Sequence, residues 1–227
     1  MARLPRLVVP GLPHLIIHRG HNGQDVFLDD ADRALYLRVL ASSAAEAGVA
    51  LHGYGLAANE ARLLATPSDG AALARMMQAI GRRYVRAFNL KHARRSTPWE
   101  GRFRSTVLEP ERFFVPALLV IESAAPAGTV LASVREIAPW TSAAHHLGLR
   151  PDPLVTEHAM FWALGNTPFE REAAYRVLYE RGPGAQESEA IQDAASKGWA
   201  LGSAPFVARL GKETGRRTRP LARGRPR

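Results

Sequence analysis

Between His14 and Leu108 the apolar pattern passes twice from strand-like alternation to a helical repeat and back. That order leaves few folds open. His14–Arg19 (H-L-I-I-H-R) reads as a short strand, followed by a turn over Gly20–Gly23. Asp29 or Asp30 can cap a helix running to about Ala47, with Leu35, Val39 and Leu40 on its apolar face and Gly48 ending it. Val49–Leu56 reads as a second strand and Arg62–Thr66 as its neighbour, with Asn59 near the turn. Leu73, Met77, Ile80, Tyr84 and Phe88, at spacings of three or four, predict a helix over Ala71–Asn89. Phe103–Leu108 is a fourth strand, and Arg112–Ser123 is a third helix kinked or started by Pro116. The order β-α-β-β-α-β-α defines an α+β fold. Its first six elements match a ferredoxin-like βαββαβ antiparallel sheet with two helices on one face, to which one helix is added.

After about residue 135 the character changes, and Pro139, Pro151, Pro153 and Pro168 punctuate the chain. Glu170–Glu180 and Ser188–Lys197 look helical. Three regions are therefore expected: a first domain over 1–135, a mainly helical C-terminal extension over 136–210, and a basic tail over 211–227. The tail has seven Lys or Arg and one acidic residue among seventeen, with almost nothing apolar to bury, so it is expected to be disordered when free. The 227-residue chain is 46% apolar, enough for a sizeable core. It has no cysteine, which excludes disulfides and thiolate metal sites and fits a reducing cytoplasm. No apolar run reaches the roughly 18 residues of a membrane span. A net charge of +9 points to a polyanionic partner, most often nucleic acid.

Several blocks resemble the REP-associated tyrosine transposases, a branch of the HUH single-strand DNA transposases. They are G-L-P-H-L-I-I-H-R-G-H-N-G-Q-D-V-F (Gly11–Phe27), G-R-R-Y-V-R-A-F-N (Gly81–Asn89), P-W-E-G-R-F-R-S (Pro98–Ser105), P-W-T-S-A-A-H-H-L-G (Pro139–Gly148) and G-W-A-L-G-S-A-P-F (Gly198–Phe206). They come in family order over nearly the whole chain. The resemblance implies a ferredoxin-like nuclease domain with an added catalytic helix over 1–135. It also implies binding of a hairpin or imperfect palindrome in single-stranded DNA, and cleavage through a phosphotyrosine bond with Mg²⁺ or Mn²⁺.

The catalytic positions depart from that pattern. Leu56–Leu64 (L-A-A-N-E-A-R-L-L) resembles the family's L-M-P-N-H-V-H-L-L, and Glu60 and Arg62 stand where the two metal-binding histidines would be. Residues two apart on a strand share a face. Glutamate alone can bind Mg²⁺, but arginine places a fixed positive charge where the ion would sit. Glu60 and Arg62 therefore form either an ordinary ion pair or a site at which Arg62 contacts a DNA phosphate in place of the metal. The family's nucleophilic tyrosine, in a pattern like Y-I-E-L-N-P-V-R-A-G, falls at Val120 or Leu119 of L-V-I-E-S-A-A-P-A-G (Leu119–Gly128). Its third metal ligand falls at Ser123 or Ala124. No cofactor is therefore expected, and loss of these groups together is expected to abolish cutting. Tyr54 and Tyr84 are expected in the core. His14 and His18 read as strand or DNA-facing residues. None of His14, His18, His21, His145 and His146 has a metal-ligand spacing with a carboxylate partner.

The DNA-binding signal is basic and aromatic. Arg82, Arg83 and Arg86 lie on one predicted helix, followed by a loop with Lys91, His92, Arg94 and Arg95, then by Trp99, Arg102, Phe103 and Arg104. Arginines grip phosphates and aromatics stack on unpaired bases, although Trp99 is expected to pack in the core. Arg19 and Arg62 join this set from the first and third strands. In the tail, Arg216 and Arg217 precede R-G-R-P-R (Arg223–Arg227), where Arg223 and Arg225 flank glycine in an AT-hook-like core suited to a narrow minor groove. The expected protein is a transposase-like, cytoplasmic and nucleoid-associated DNA binder. Its oligomeric state is left open by the sequence. Two alternatives remain: an active metal-dependent nuclease with relocated residues, and an RNA-binding module on the same sheet topology.

Overall fold

The computed structural model describes residues 6–123 and 139–218. Strands at His14–Arg19 (β1), Val49–Ala57 (β2), Glu60–Pro67 (β3) and Arg104–Val107 (β4) form an antiparallel sheet in the order β2-β3-β1-β4. This is the expected βαββαβ arrangement. Helices over Asp30–Ala47 (α1) and Ala72–Lys91 (α2) make the two crossovers. The Asp29 side chain caps α1 by accepting the Asp32 backbone N–H, and Gly48 ends it at φ 68°, a conformation that favours glycine. The five residues that predicted α2 are all buried, as are Tyr54 and Trp99.

Strand alternation divides the core in two. Ile16 and Leu63 pack with Tyr36, Leu40, Tyr84 and Phe88 under α1 and α2. Leu15, Ile17 and Leu64 point to the opposite face. There they meet the added helix, α3 (Pro110–Glu122), whose apolar residues Phe113, Phe114, Leu118 and Ile121 are buried. Proline at the first position fits a helix start, since its missing N–H would have no partner there. Pro110, and not Pro116, therefore begins α3, and Pro116 lies inside it. Close approach of α3 requires Gly55 on β2. A Cβ there would come within 2.4 Å of the Ile121 carbonyl oxygen.

The C-terminal extension adds to the α3 face. Short helices over Ala143–His146 (α4) and Ala159–Trp162 (α5) precede longer ones over Pro168–Arg181 (α6) and Ala185–Lys197 (α7). Thr167 and Glu170 form a capping box at the start of α6. Phe161, Tyr175 and Ile191 from this region share the core of Leu15, Ile17 and α3. Both outer strands are covered, which protects their edges. The Leu56 N–H on β2 donates to the Trp140 carbonyl over 2.9 Å, and the Leu201 N–H donates to the Val107 carbonyl on β4 over 2.9 Å.

The order of the chain beyond residue 210 differs from the expectation. A last helix, α8 (Ala204–Thr214), carries the chain past Gly211, and Gly215 turns it back at φ 62°. The Ala200 N–H then donates to the Thr218 carbonyl over 3.2 Å, and the Thr218 hydroxyl donates to the Val207 carbonyl over 3.0 Å. Residues 211–218 are thus anchored at Thr218, which is buried, while Lys212, Glu213, Arg216 and Arg217 are exposed, and Phe206 and Leu210 of α8 join a small apolar cluster with Leu7 and Val107. Arg223 and Arg225 lie outside the described residues. Among the described residues no helix is long and apolar enough to cross a membrane.

Candidate nucleic-acid interface

Glu60 opens β3, and the strand period puts Arg62 on the same face. Arg19 is the register partner of Glu60, and Ile17 pairs with both Arg62 and Arg104. Arg19, Arg62 and Arg104 therefore stand on the α3 side of the sheet. The Arg19 Nε donates to Glu60 Oε2 over 2.6 Å, and the Arg62 Nε donates to Oε1 of the same carboxylate. Burial pushes the Glu60 pKa up, but the positive charge of Arg62 and the bond and charge of Arg19 outweigh it and hold the group below its usual range. Both carboxylate oxygens are engaged, so a divalent ion would have to displace a guanidinium.

A small cavity of about 30 Å³ lies beside this pair, lined by Arg19, Arg62 and Arg104 from the sheet, Val120 from α3, and Ile191 and Ser196 from α7. Of the two tyrosine-equivalent candidates, Val120 lines it. Both are buried in the same apolar cluster, Leu119 at 5% and Val120 at 6% exposed, but Leu119 is not in the cavity lining. The Ser123 hydroxyl turns back onto the Leu119 carbonyl of its own helix over 2.5 Å, and Ala124 is outside the described residues. Among the described residues the lining includes no tyrosine or histidine. Its one hydroxyl, on Ser196, donates to the Asp193 carbonyl over 2.8 Å.

The other basic residues separate into two groups. Arg82, Arg83 and Arg86 are exposed on α2, across the sheet from Arg62, and Arg83 pairs with Glu46 over 2.7 Å. Arg94 lies 5.7 Å from the Phe88 ring centroid, and Arg95 is exposed nearby. Lys91 is the last residue of α2 and not part of a loop. Its ammonium sits 2.6 Å from both oxygens of Asp29 and 2.8 Å from Asp32, so its charge is already paired by two carboxylates. Asp29, Asp32 and His92 are close enough together to hold a cation, but Lys91 already fills that role. The second group surrounds a groove of about 630 Å³ at the β4 edge. Arg102 and Arg104 meet Lys197, Arg216 and Arg217 there, with Trp199 and a single acidic residue, Glu100, in the lining.

Two features escaped the sequence reading. No periodicity or spacing gives Trp199 a role, and only the fold carries it to the groove that Arg104 lines. Glu122, 0% exposed, accepts hydrogen bonds from the Tyr175 hydroxyl (2.6 Å), the Ser142 hydroxyl and His146 Nδ1 (2.7 Å). No spacing rule connects residues from α3, α4 and α6. His14 and His18 prove to be core residues, 0% and 7% exposed, and burial lowers the pKa of each to about 4. The Val9 N–H donates to His14 Nε2 while Nδ1 faces the Leu12 carbonyl, which fixes a neutral ring.

No family model matches the sequence, and no curated protein matches it. Among solved structures, the chain is similar to a REP-associated tyrosine transposase bound to a REP hairpin, with a TM-score of 0.52 and 12% identity over 70% of this chain and 92% of that one. It also aligns with a protein from Deinococcus radiodurans R1 described as a transposase, at 17% identity over 49% of this chain and 90% of that one. The TM-score of that second alignment is 0.37. The first gives this chain a transposase fold.

Proposed function

We propose that this protein binds hairpin or palindromic single-stranded DNA and does not cut it. The observation that carries this reading is that Arg62, paired with Glu60, lines one cavity together with Val120. Cleavage by tyrosine needs a cation to polarise the phosphate and a hydroxyl to attack it. At these positions the protein has a carboxylate neutralised by two arginines and an aliphatic side chain. Arginine is well suited to hold a phosphate without a metal, because its planar fork matches the oxyanion. The surrounding cations Arg19 and Arg104 add attraction with no chemistry of their own. The neighbour of this fold that is bound to a REP hairpin supports DNA as the ligand class.

The test pairs binding with cleavage, using the full chain and labelled single-stranded DNA hairpins, in Mg²⁺, Mn²⁺ and EDTA. Salt-sensitive binding that EDTA does not change, with no nick and no covalent adduct, is the expected result. A metal-dependent nick overturns the reading and favours the relocated nuclease. Equal or tighter binding of RNA of the same sequence favours the RNA-binding alternative.

A further inference from the structure

Resting on that DNA-binding reading, we propose that the groove at the β4 edge takes an unpaired DNA strand, with Trp199 as the platform on which one base stacks. The chemistry of the lining points to a polyanion carrying flat apolar rings. Arg102, Arg104, Lys197, Arg216 and Arg217 outnumber the one acid, Glu100. At about 630 Å³ the groove falls within the range of small-ligand sites. An unpaired base can enter such a site and present a ring face, whereas a duplex keeps its base faces stacked inside.

Trp199 is held in place by its backbone. Gly198 ends α7 at φ 70°, turning the chain out of the helix. The Trp199 carbonyl accepts the Thr106 hydroxyl from β4, and Leu201 bonds to Val107 just beyond. The indole is half-buried, with the Arg217 guanidinium 5.1 Å from its centroid. An exposed cation–π contact of this kind contributes about 0.5–1 kcal/mol, and a stacked base about 1–3 kcal/mol. A base therefore displaces Arg217, and the released guanidinium is left beside the strand's phosphates. Arg104 and Ser196 line both this groove and the Arg62 cavity, so the two lie side by side. A strand seated on Trp199 leads its backbone toward Arg62.

The test measures affinity of the full chain for three labelled ligands: oligo(dT) of eight nucleotides, an abasic octamer with the same phosphates, and an eight-base-pair duplex. Trp199→Ala should weaken oligo(dT) binding by roughly 5- to 150-fold, and Trp199→Phe should recover most of it. Neither change should move the abasic octamer or the duplex. Thermal melts and circular dichroism of both variants check that the fold is intact. The proposal is overturned if Trp199→Ala leaves oligo(dT) binding unchanged, or if the abasic octamer binds as tightly as oligo(dT). Either result, with the wild-type protein still binding hairpins, removes this proposal alone. Failure of the wild-type protein to bind any hairpin removes the function proposed above.

Discussion

Arg19 and Glu60 are register partners on neighbouring strands, and the Arg19 guanidinium holds one carboxylate oxygen over 2.6 Å while Arg62 holds the other. The carboxylate is 8% exposed, but Arg19 is 47% exposed and reaches solvent. One negative charge thus keeps two arginines aligned at the mouth of the cavity.

Glu60→Gln should strengthen DNA binding, since it removes the competitor for two guanidinium groups. One further phosphate contact would steepen the dependence of log affinity on log salt by about 1. The cost to stability should stay near ~1 kcal/mol, because the arginines it leaves are partly solvated. Binding titrations at several salt concentrations check this, and weaker binding by the variant would contradict it. The pair also contributes to stability in a pH-dependent way. The Glu60 pKa is lowered in the fold, so its contribution is complete above the usual glutamate value of about 4.3. It is lost as pH falls through the depressed folded value.

Replacing Glu60 and Arg62 together by histidine should create Mn²⁺ affinity without cleavage. The two imidazoles would share one strand face with the spacing of a chelate, while Val120 still offers no hydroxyl. Calorimetry with Mn²⁺ reads the first half, and a hairpin nicking assay the second. A nick by the double variant would show that a nucleophile other than the residue at 120 is in reach.

Acid should unfold the protein well above the usual carboxylate range. His14, His18 and His52 are each lowered to about 4 by burial. In the unfolded chain they titrate near about 6.5. Between those values the unfolded state binds more protons, so stability falls as pH drops through that window and recovers as it rises. Three such groups give a slope of up to roughly 4 kcal/mol per pH unit. Chemical denaturation at pH 7, 6 and 5 measures it, and a flat profile would contradict the buried neutral rings.

Glu122→Ala should cost roughly 3 kcal/mol or more, since each buried polar group left without a partner costs about 1–3 kcal/mol. His146, Ser142 and Tyr175 would each lose a partner in the interior. Denaturation midpoints at neutral pH test it. A loss under ~1 kcal/mol would mean that water replaces the carboxylate.

Lys91→Ala and Arg104→Ala should separate two kinds of basic residue. Lys91 is clasped by Asp29 and Asp32, so its loss should lower stability and leave DNA affinity nearly unchanged. Arg104 lines both cavity and groove, so its loss should weaken DNA binding and reduce the salt slope by about 1. Equal binding losses in the two variants would contradict the distinction.

Local patterns determined the order of elements. Leu73 to Phe88 set α2, and the Asp29 and Gly48 caps bounded α1, because propensity, capping and periodicity act between near neighbours in the chain. The matching of positions 60, 62 and 119–120 to the family's catalytic ones is an expectation from the resemblance, which no spacing rule within this chain supplies. Tertiary structure decided which side chains meet. It placed Val120 rather than Leu119 beside Arg62, tied Lys91 to Asp29 and Asp32, buried His14 and His18, and anchored the chain at Thr218. It also brought Trp199 to Arg104 and Tyr175 to Glu122. Those contacts join residues dozens of positions apart. Their partners are selected by how helices and strand edges stack against shared apolar faces, and no periodicity within one element encodes that.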